Sequence, residues 1–102
     1  ISSVLMAKFD VYRTTDGWLA LDCQANTLRH LTTRLVVPLM PSDEAPVAGD
    51  RLNPRFDIEG EVVMVTQFAA SLPVAELSNR VCSLIDEEYA IGAALDMLIS
   101  GY

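Results

Sequence analysis

The stretch Lys8-Phe9-Asp10-Val11-Tyr12-Arg13-Thr14-Thr15-Asp16-Gly17-Trp18-Leu19-Ala20-Leu21-Asp22-Cys23 decides the fold. Phe9 and Val11 alternate with Lys8, Asp10 and Tyr12, the period of two of a half-buried strand. Asp16-Gly17 is a tight-turn signal, because glycine accepts positive φ. Trp18 to Cys23 then returns as the partner strand. A hairpin at the start of the chain places it among β folds.

Working outward, Gln24 to Thr33 is polar and aperiodic and reads as a long loop. Arg34 to Leu39 is apolar and β-branched, a buried strand. Pro38 has no N–H for the ladder and so predicts a sheet edge or a strand end there. Met40 to Pro54 carries Pro41, Pro46, Pro54 and Gly49 and reads as the largest loop and a mobile one. Arg55 to Ile58 and Glu61 to Phe68 flank Glu59-Gly60 as a second hairpin, which Ala69 to Pro73 continues. Leu77 to Leu84 fits a short strand or a turn of helix equally well. After it comes one long helix, with Asp86 as its expected N-cap and Glu87 and Glu88 in the first turn, where carboxylates suit the dipole. Ile91, Ala94, Leu95 and Leu98 form a single apolar stripe. Gly92 weakens this helix by about 1 kcal/mol relative to alanine and reads as a point of close packing. Gly101 stands where a C-cap glycine would. The expected fold is mainly β with α: a small antiparallel barrel of five or more strands closed by a C-terminal helix.

The chain has 102 residues, enough for one domain over 1–102, and 51% of them are hydrophobic, so a packed core is expected. Met6-Ala7-Lys8 reads as a natural start, with residues 1–5 as a remnant ahead of it. No apolar run is long enough to span a bilayer, and Ile1 to Leu5 lacks the charged leading region of a signal peptide. No membrane partner and a cytoplasmic location are therefore expected. Fourteen acidic residues against seven basic ones give a formal charge of −7. That balance repels phosphate backbones, so no direct nucleic-acid partner is expected.

Positive signs of catalysis are few. His30 is the sole histidine and lies beside Arg29 and near Arg34. That trio suits general acid–base cleavage of a phosphodiester. A solvated loop histidine is the simpler reading. Cys23 and Cys82 sit among apolar residues and read as buried thiols, neither a redox pair nor a metal cluster. Asp86-Glu87-Glu88 is better explained by the helix N-terminus than as a carboxylate site. Asp43, Glu44 and Asp50 lack the spacing of a calcium loop. Trp18 beside the turn is either an exposed binding aromatic or, more commonly, a partly buried hairpin residue. The expectation is no catalytic residue, no metal and no cofactor.

Phe9-x-Val11-Tyr12, Asp22-x-Gln24, Val36-Val37-Pro38-Leu39, Leu52-x-Pro54 and Ala70-Ser71-Leu72-Pro73-Val74 occur in this order. They are followed by Ile91, Ala94 and Leu98-Ile99-x-Gly101. No one of these motifs is specific, but as a collinear set from Phe9 to Tyr102 they resemble the CcdB family, gyrase-poisoning toxins of bacterial toxin–antitoxin pairs. The resemblance implies an SH3-like, CcdB-type barrel, shared with ribonuclease toxins, and a homodimer. It implies binding to the A subunit of DNA gyrase, trapping of the gyrase–DNA cleavage complex, and neutralisation by a partly disordered antitoxin. Carried onto this chain, the gyrase contacts are Thr27, Leu28 and Arg29 with Asp96, Ile99, Ser100, Gly101 and Tyr102. The antitoxin contacts are Thr14, Thr15, Asp16 and Gly17 with Asp43 and Glu44. Leu95, Leu98 and Ile99 form an apolar helix end that symmetric pairing would bury, the expected dimer interface.

The sequence departs from the family at these contacts. The family's C-terminal Trp-Gly reads Ser100-Gly101, a loop isoleucine reads Thr27, an acidic position reads Arg29 and a helix asparagine reads Asp96. Losing a buried aromatic anchor commonly costs about 2 kcal/mol or more, roughly thirtyfold in affinity. Tyr102 is the ring available to replace it. Two alternatives accompany the gyrase reading: an endoribonuclease using Arg29, His30 or Arg34, and a degenerate homologue that binds an antitoxin without poisoning gyrase.

Overall fold

The computed structural model describes residues 6–102; the reading of residues 1–5 as a remnant lies outside them. Seven strands form one curled antiparallel sheet: β1 (Asp10–Thr14), β2 (Leu19–Asp22), β3 (Thr33–Pro41), β4 (Arg55–Asp57), β5 (Glu61–Met64), β6 (Ala70–Pro73) and β7 (Leu77–Ser83). The order is β4-β5-β3-β2-β1-β7, with β6 also paired to β3. One helix, α1 (Glu88–Ser100), follows. This is the mainly-β fold with a C-terminal helix that the hairpin pattern predicts.

The β1–β2 hairpin pairs Val11 with Leu21 and Arg13 with Leu19. Its turn closes through Gly17 N–H donating to the Thr14 carbonyl at 2.9 Å. The second hairpin turns at Glu59 and Gly60, with φ of 58° and 107°. Glycine holds the second angle without steric cost, whereas Glu59 holds the first at some expense.

Strand β3 carries the architecture. It pairs with β2 through Val36 to Leu39 on one side. On the other it pairs with β6 through Thr33 to Val36 and with β5 through Leu39 to Pro41. Pro38 is therefore interior to the longest strand, not at an edge or an end. Its carbonyl accepts the Val65 N–H at 3.0 Å. A residue's N–H and C=O point to the same side of a strand, so the missing N–H faces the gap where β6 has ended and β5 has not yet begun. No ladder bond is lost there.

Curling gives both faces of the sheet an apolar layer. Val11, Leu19, Leu21, Val37 and Leu39 point to one, together with Phe9, Phe56, Met64, Ile91 and Ala94. Tyr12, Ala20 and Val36 alternate to the other, with Met6 and Leu77. The helix supplies Ile91 and Ala94 fully buried, packs partly through Leu95, and leaves Leu98 exposed. The apolar stripe thus covers the core for two turns and then runs into solvent. Burying Ile91 stabilises the docked helix by about 1.5–3 kcal/mol.

Several local expectations change. Leu77 to Ser83 is a strand, with two register shifts against β1. The strand read over Glu61 to Phe68 stops at Met64, and a 3-10 turn, Thr66–Phe68, follows. Asp86 does not cap the helix: it lies in the 3-10 turn Ile85–Glu87. There the Ser83 hydroxyl accepts the Ile85 N–H at 3.2 Å and the Leu84 carbonyl accepts that of Glu87 at 2.9 Å. The extra turn satisfies donors that a capping carboxylate would otherwise serve. At the other end Gly101 has φ 81° and donates to the Met97 carbonyl, the left-handed cap the sequence predicts. Cys23 is buried, but Cys82 is only half-buried, because β7 is an outer strand.

The long loop after β3 is tied down rather than loose. Asn53 is 1% exposed. Its Oδ1 accepts the Ala48 N–H at 2.7 Å, and its Nδ2 donates to the Met64 carbonyl at 3.0 Å and to Gln67 Oε1 at 2.8 Å. Thr66 donates to the Leu52 carbonyl, and Gln67 Nε2 to that of Pro46. A buried amide serving both a loop and a strand is costly to remove. Asn53→Ala should lower stability by about 2–3 kcal/mol in urea denaturation, whereas Asp50→Ala on the exposed part of the loop should stay within about 0.5 kcal/mol.

Candidate functional site

Three buried strand residues that the alternation aims at the second apolar layer are charged: Asp10, Asp22 and Arg34. Asp22 ends β2 and Arg34 is the second residue of β3; both are essentially solvent-free, at 0% and 1% exposure. Arg34 Nε donates to Asp22 Oδ2 at 2.8 Å, and Nη2 lies 2.7 Å from the same oxygen. The second carboxylate oxygen accepts the Gln24 N–H at 3.0 Å. Burial pushes the Asp22 carboxyl above its ordinary pKa, and Arg34 and the Gln24 N–H only partly offset it. Gln24 in turn shapes the loop. Its amide donates to the Leu28 and Thr33 carbonyls at 3.0 and 3.1 Å and accepts the Leu35 N–H at 3.0 Å.

Beside this pair, Asp10 is 2% exposed and lies 3.2 Å from Arg80 Nε, a side chain on the exposed edge strand. Tyr12 donates to Asp10 at 3.3 Å. Burial, and then the Asp10 charge, push the Tyr12 phenol up to about 12. Burial likewise pushes the Cys23 thiol up to about 12, which removes it as a nucleophile near neutral pH.

The trio that suited phosphodiester cleavage is divided. Arg29 and His30 are exposed on the loop and line an open groove of about 740 Å³ with Leu31, Thr32, Thr33, Met6 and Pro73 to Ala75. Arg34 is not in its lining: it is sealed in the sheet against Asp22. Sequence spacing put the three together, but strand alternation turns Arg34 inward. Among the described residues no three of His, Cys, Asp and Glu gather as a metal cluster.

The residues assigned to gyrase by resemblance fall in two places. Thr27 and Leu28 lie on the exposed 3-10 turn Asn26–Leu28, followed by Arg29, whose Nε donates to the Asn26 carbonyl at 3.0 Å. Asp96, Ile99, Ser100, Gly101 and Tyr102 are all exposed at the helix end, Ile99 at 81% and Tyr102 at 76%. The principal packing partners of α1 are the turns Thr66–Phe68 and Ile85–Glu87, so the two groups are held by separate parts of the fold. Of the three dimer residues, Leu95 packs on this chain's own core, whereas Leu98 and Ile99 are open.

The residues assigned to the antitoxin by resemblance lie on two segments, of which Gly17 and Glu44 share a cavity. Thr15, Asp16 and Gly17 are exposed on the first turn, and Asp43 and Glu44 at the start of the long loop. Thr14 differs: it is 4% exposed, because the last residue of β1 still points inward. Gly17 and Glu44 line one small cavity with Arg13, Trp18, Met40, Pro41, Ile58 and Glu59. Glu59 and Ile58 were invisible as site residues in the sequence, since only the sheet order carries the second hairpin to this end. Trp18 had a signal, its place beside Asp16-Gly17.

The family model described as CcdB protein matches residues 8–101. No curated protein sequence matches the chain. Among solved structures, an endoribonuclease from Mycobacterial species superposes with a TM-score of 0.73 at 17% identity, over 92% of this chain and 90% of that one. The Mycobacterium tuberculosis toxin MazF-mt6 gives 0.73 at 20% identity, over 88% and 94%. A further structure described as an Mtb toxin gives 0.69 at 20% identity, over 83% and 94%. At these identities the likeness is one of fold.

Removing one member of a buried ion pair strands the other, so Asp22→Ala should cost about 3–5 kcal/mol in urea denaturation, and the double change Asp22→Leu with Arg34→Met distinctly less. The raised thiol and phenol set an alkaline limit. An unfolded thiol ionises near 9.0 while Cys23 in the fold keeps its proton to about 12, so stability should fall as pH rises through that window. The urea midpoint should drop as pH rises from about 9 toward 12, with a shallower drop in Cys23→Ala.

Proposed function

The chain belongs to the CcdB family of toxin–antitoxin toxins, and from that premise we propose that it acts by binding the A subunit of DNA gyrase and trapping the gyrase–DNA cleavage complex. It does so as a homodimer in the cytoplasm, without catalysis of its own, and a partly disordered antitoxin removes it. The observation that supports a binding mode over a cutting mode is the state of Arg34. One of the two arginines that the sequence places near His30 is held at 2.7 Å from Asp22 with 1% of its side chain exposed. What the protein offers to solvent is instead an apolar helix end. Leu98 and Ile99 suit the dimer contact, and Gly101 turns the chain out of the helix so that Tyr102 projects. Tyrosine is a good anchor because it presents a large ring with few rotamers to freeze.

Two observations favour a second reading, an endoribonuclease. The structural neighbours include a protein described as an endoribonuclease, and Arg29 and His30 do line an open groove. The net charge of −7 opposes it, since RNA would have to approach a repelling surface.

Truncation after Ile99 removes Ser100, Gly101 and Tyr102 without touching the buried part of the stripe. The truncated chain should stay folded, retain antitoxin binding and lose at least about tenfold in calorimetric affinity for the gyrase protein that carries the contact. Unchanged affinity would remove the helix end as the contact. His30→Ala should leave toxicity in a sensitive bacterium as it was, and loss of toxicity in a folded variant would favour the ribonuclease.

A further inference from the structure

The cavity between the two hairpin turns has chemistry that neither proposed reaction uses. It is a slot of about 270 Å³ at the end of the sheet where the β1–β2 turn, the end of β3 and the β4–β5 turn meet. Its walls are the Trp18 indole, Met40, Pro41, Ile58 and Val62. Trp18 is 37% exposed, the one tryptophan of the chain. The rim is charged. Arg13 donates to the Gly17 carbonyl at 3.0 Å and pairs with Glu59 at 2.5 Å, so Glu59 is already neutralised. Glu44 stands on the same rim, and among the described residues no cation lies against its carboxylate.

The surroundings add to this charge. Asp16 precedes the lining residue Gly17, and Asp43 precedes Glu44. Asp57 pairs across the hairpin with Glu61, whose carbonyl accepts the Ser42 N–H at 3.2 Å. Six acids, Asp16, Asp43, Glu44, Asp57, Glu59 and Glu61, therefore face two bases, Arg13 and Arg55, and both bases are spent on internal pairs. An apolar slot with an aromatic wall, one unneutralised carboxylate and an acidic surround suits a side chain with an apolar stem and a cationic head. Arginine fits better than lysine, because its planar guanidinium stacks on an indole while donating to a carboxylate.

We propose that this slot seats an arginine side chain of a basic, extended segment of the antitoxin, the guanidinium stacked on Trp18 and paired with Glu44. The proposal rests on the antitoxin part of the function proposed above. It goes further in naming the chemistry of the anchor, and it adds Trp18 to the contact.

Trp18 reports on the slot directly, through its fluorescence. The full chain is titrated at low salt with a nine-residue peptide alternating arginine and valine, and with the same peptide carrying citrulline, which keeps the shape and removes the charge. The arginine peptide should give a saturable change in Trp18 emission. Glu44→Gln should weaken it about tenfold, whereas Asp86→Asn, the same change of charge in the 3-10 turn before the helix, should alter it less than twofold. Equal weakening by both variants would mean diffuse attraction and overturn the proposal, as would equal binding of the citrulline peptide or no binding of the arginine one. The antitoxin encoded beside the gene separates this idea from its premise. If it binds the unaltered chain and Glu44→Gln alike, the slot is overturned and the antitoxin reading stands. If it does not bind while the arginine peptide does so through Glu44, the slot stands as a basic-peptide site and the antitoxin reading fails.

Discussion

Asp22 and Arg34 close a charge pair inside the sheet, and much of the structure is arranged around it. Two ions in a dry interior carry a large desolvation penalty that only close pairing offsets. The pair therefore fixes the start of β3 against the end of β2. Asp22 also accepts the Phe9 N–H through its carbonyl and the Gln24 N–H through its side chain. Gln24 then sets the path of the following loop. Phe9, two strands and the Asn26–Leu28 turn are thus referred to one buried point. Such a pair is better understood as specifying register than as adding net stability, since an apolar pair of the same volume would pack as well.

The same pair shapes the functional reading. An arginine held in a salt bridge inside the sheet is poorly placed to meet a phosphodiester, and the groove beside it keeps only Arg29 and His30. Two exposed surfaces support the proposed binding to protein partners. One is the apolar helix end, where the stripe that docks α1 outlasts the core it covers. Another is the acidic end of the sheet, where two turns and a loop surround Trp18. On the function proposed here the first surface would meet the target and the second the antitoxin, and the two sit on different elements.

How far the sequence foretold this depends on the range of the interaction. Local signals were legible: the strand–turn–strand of β1 and β2, though β1 reads as half-buried and both strands are buried on both faces, Asp16-Gly17 and Glu59-Gly60 as turns, the stripe of α1 and Gly101 as its cap. Pro38 misled because strand order is a tertiary fact; only with β6 and β5 dividing one side of β3 does an interior proline lose nothing. Asp86 misled because a 3-10 turn can serve the donors a capping residue would. The long loop looked loose because the partners that tie Asn53 to the sheet side, Met64 and Gln67, lie more than ten residues on. For the sites, the sequence named the two loops that meet at the slot but not Glu59 or Ile58. It grouped Arg34 with Arg29 and His30 by proximity, which alternation undoes.

The central claim is that this protein acts by holding another protein and not by cutting RNA. The most direct measurement offers the purified chain both substrates in parallel: labelled single-stranded RNA, and gyrase with supercoiled plasmid. The account predicts intact RNA and plasmid linearised on detergent treatment, the mark of a trapped cleavage complex. Cleaved RNA with the plasmid untouched would contradict it.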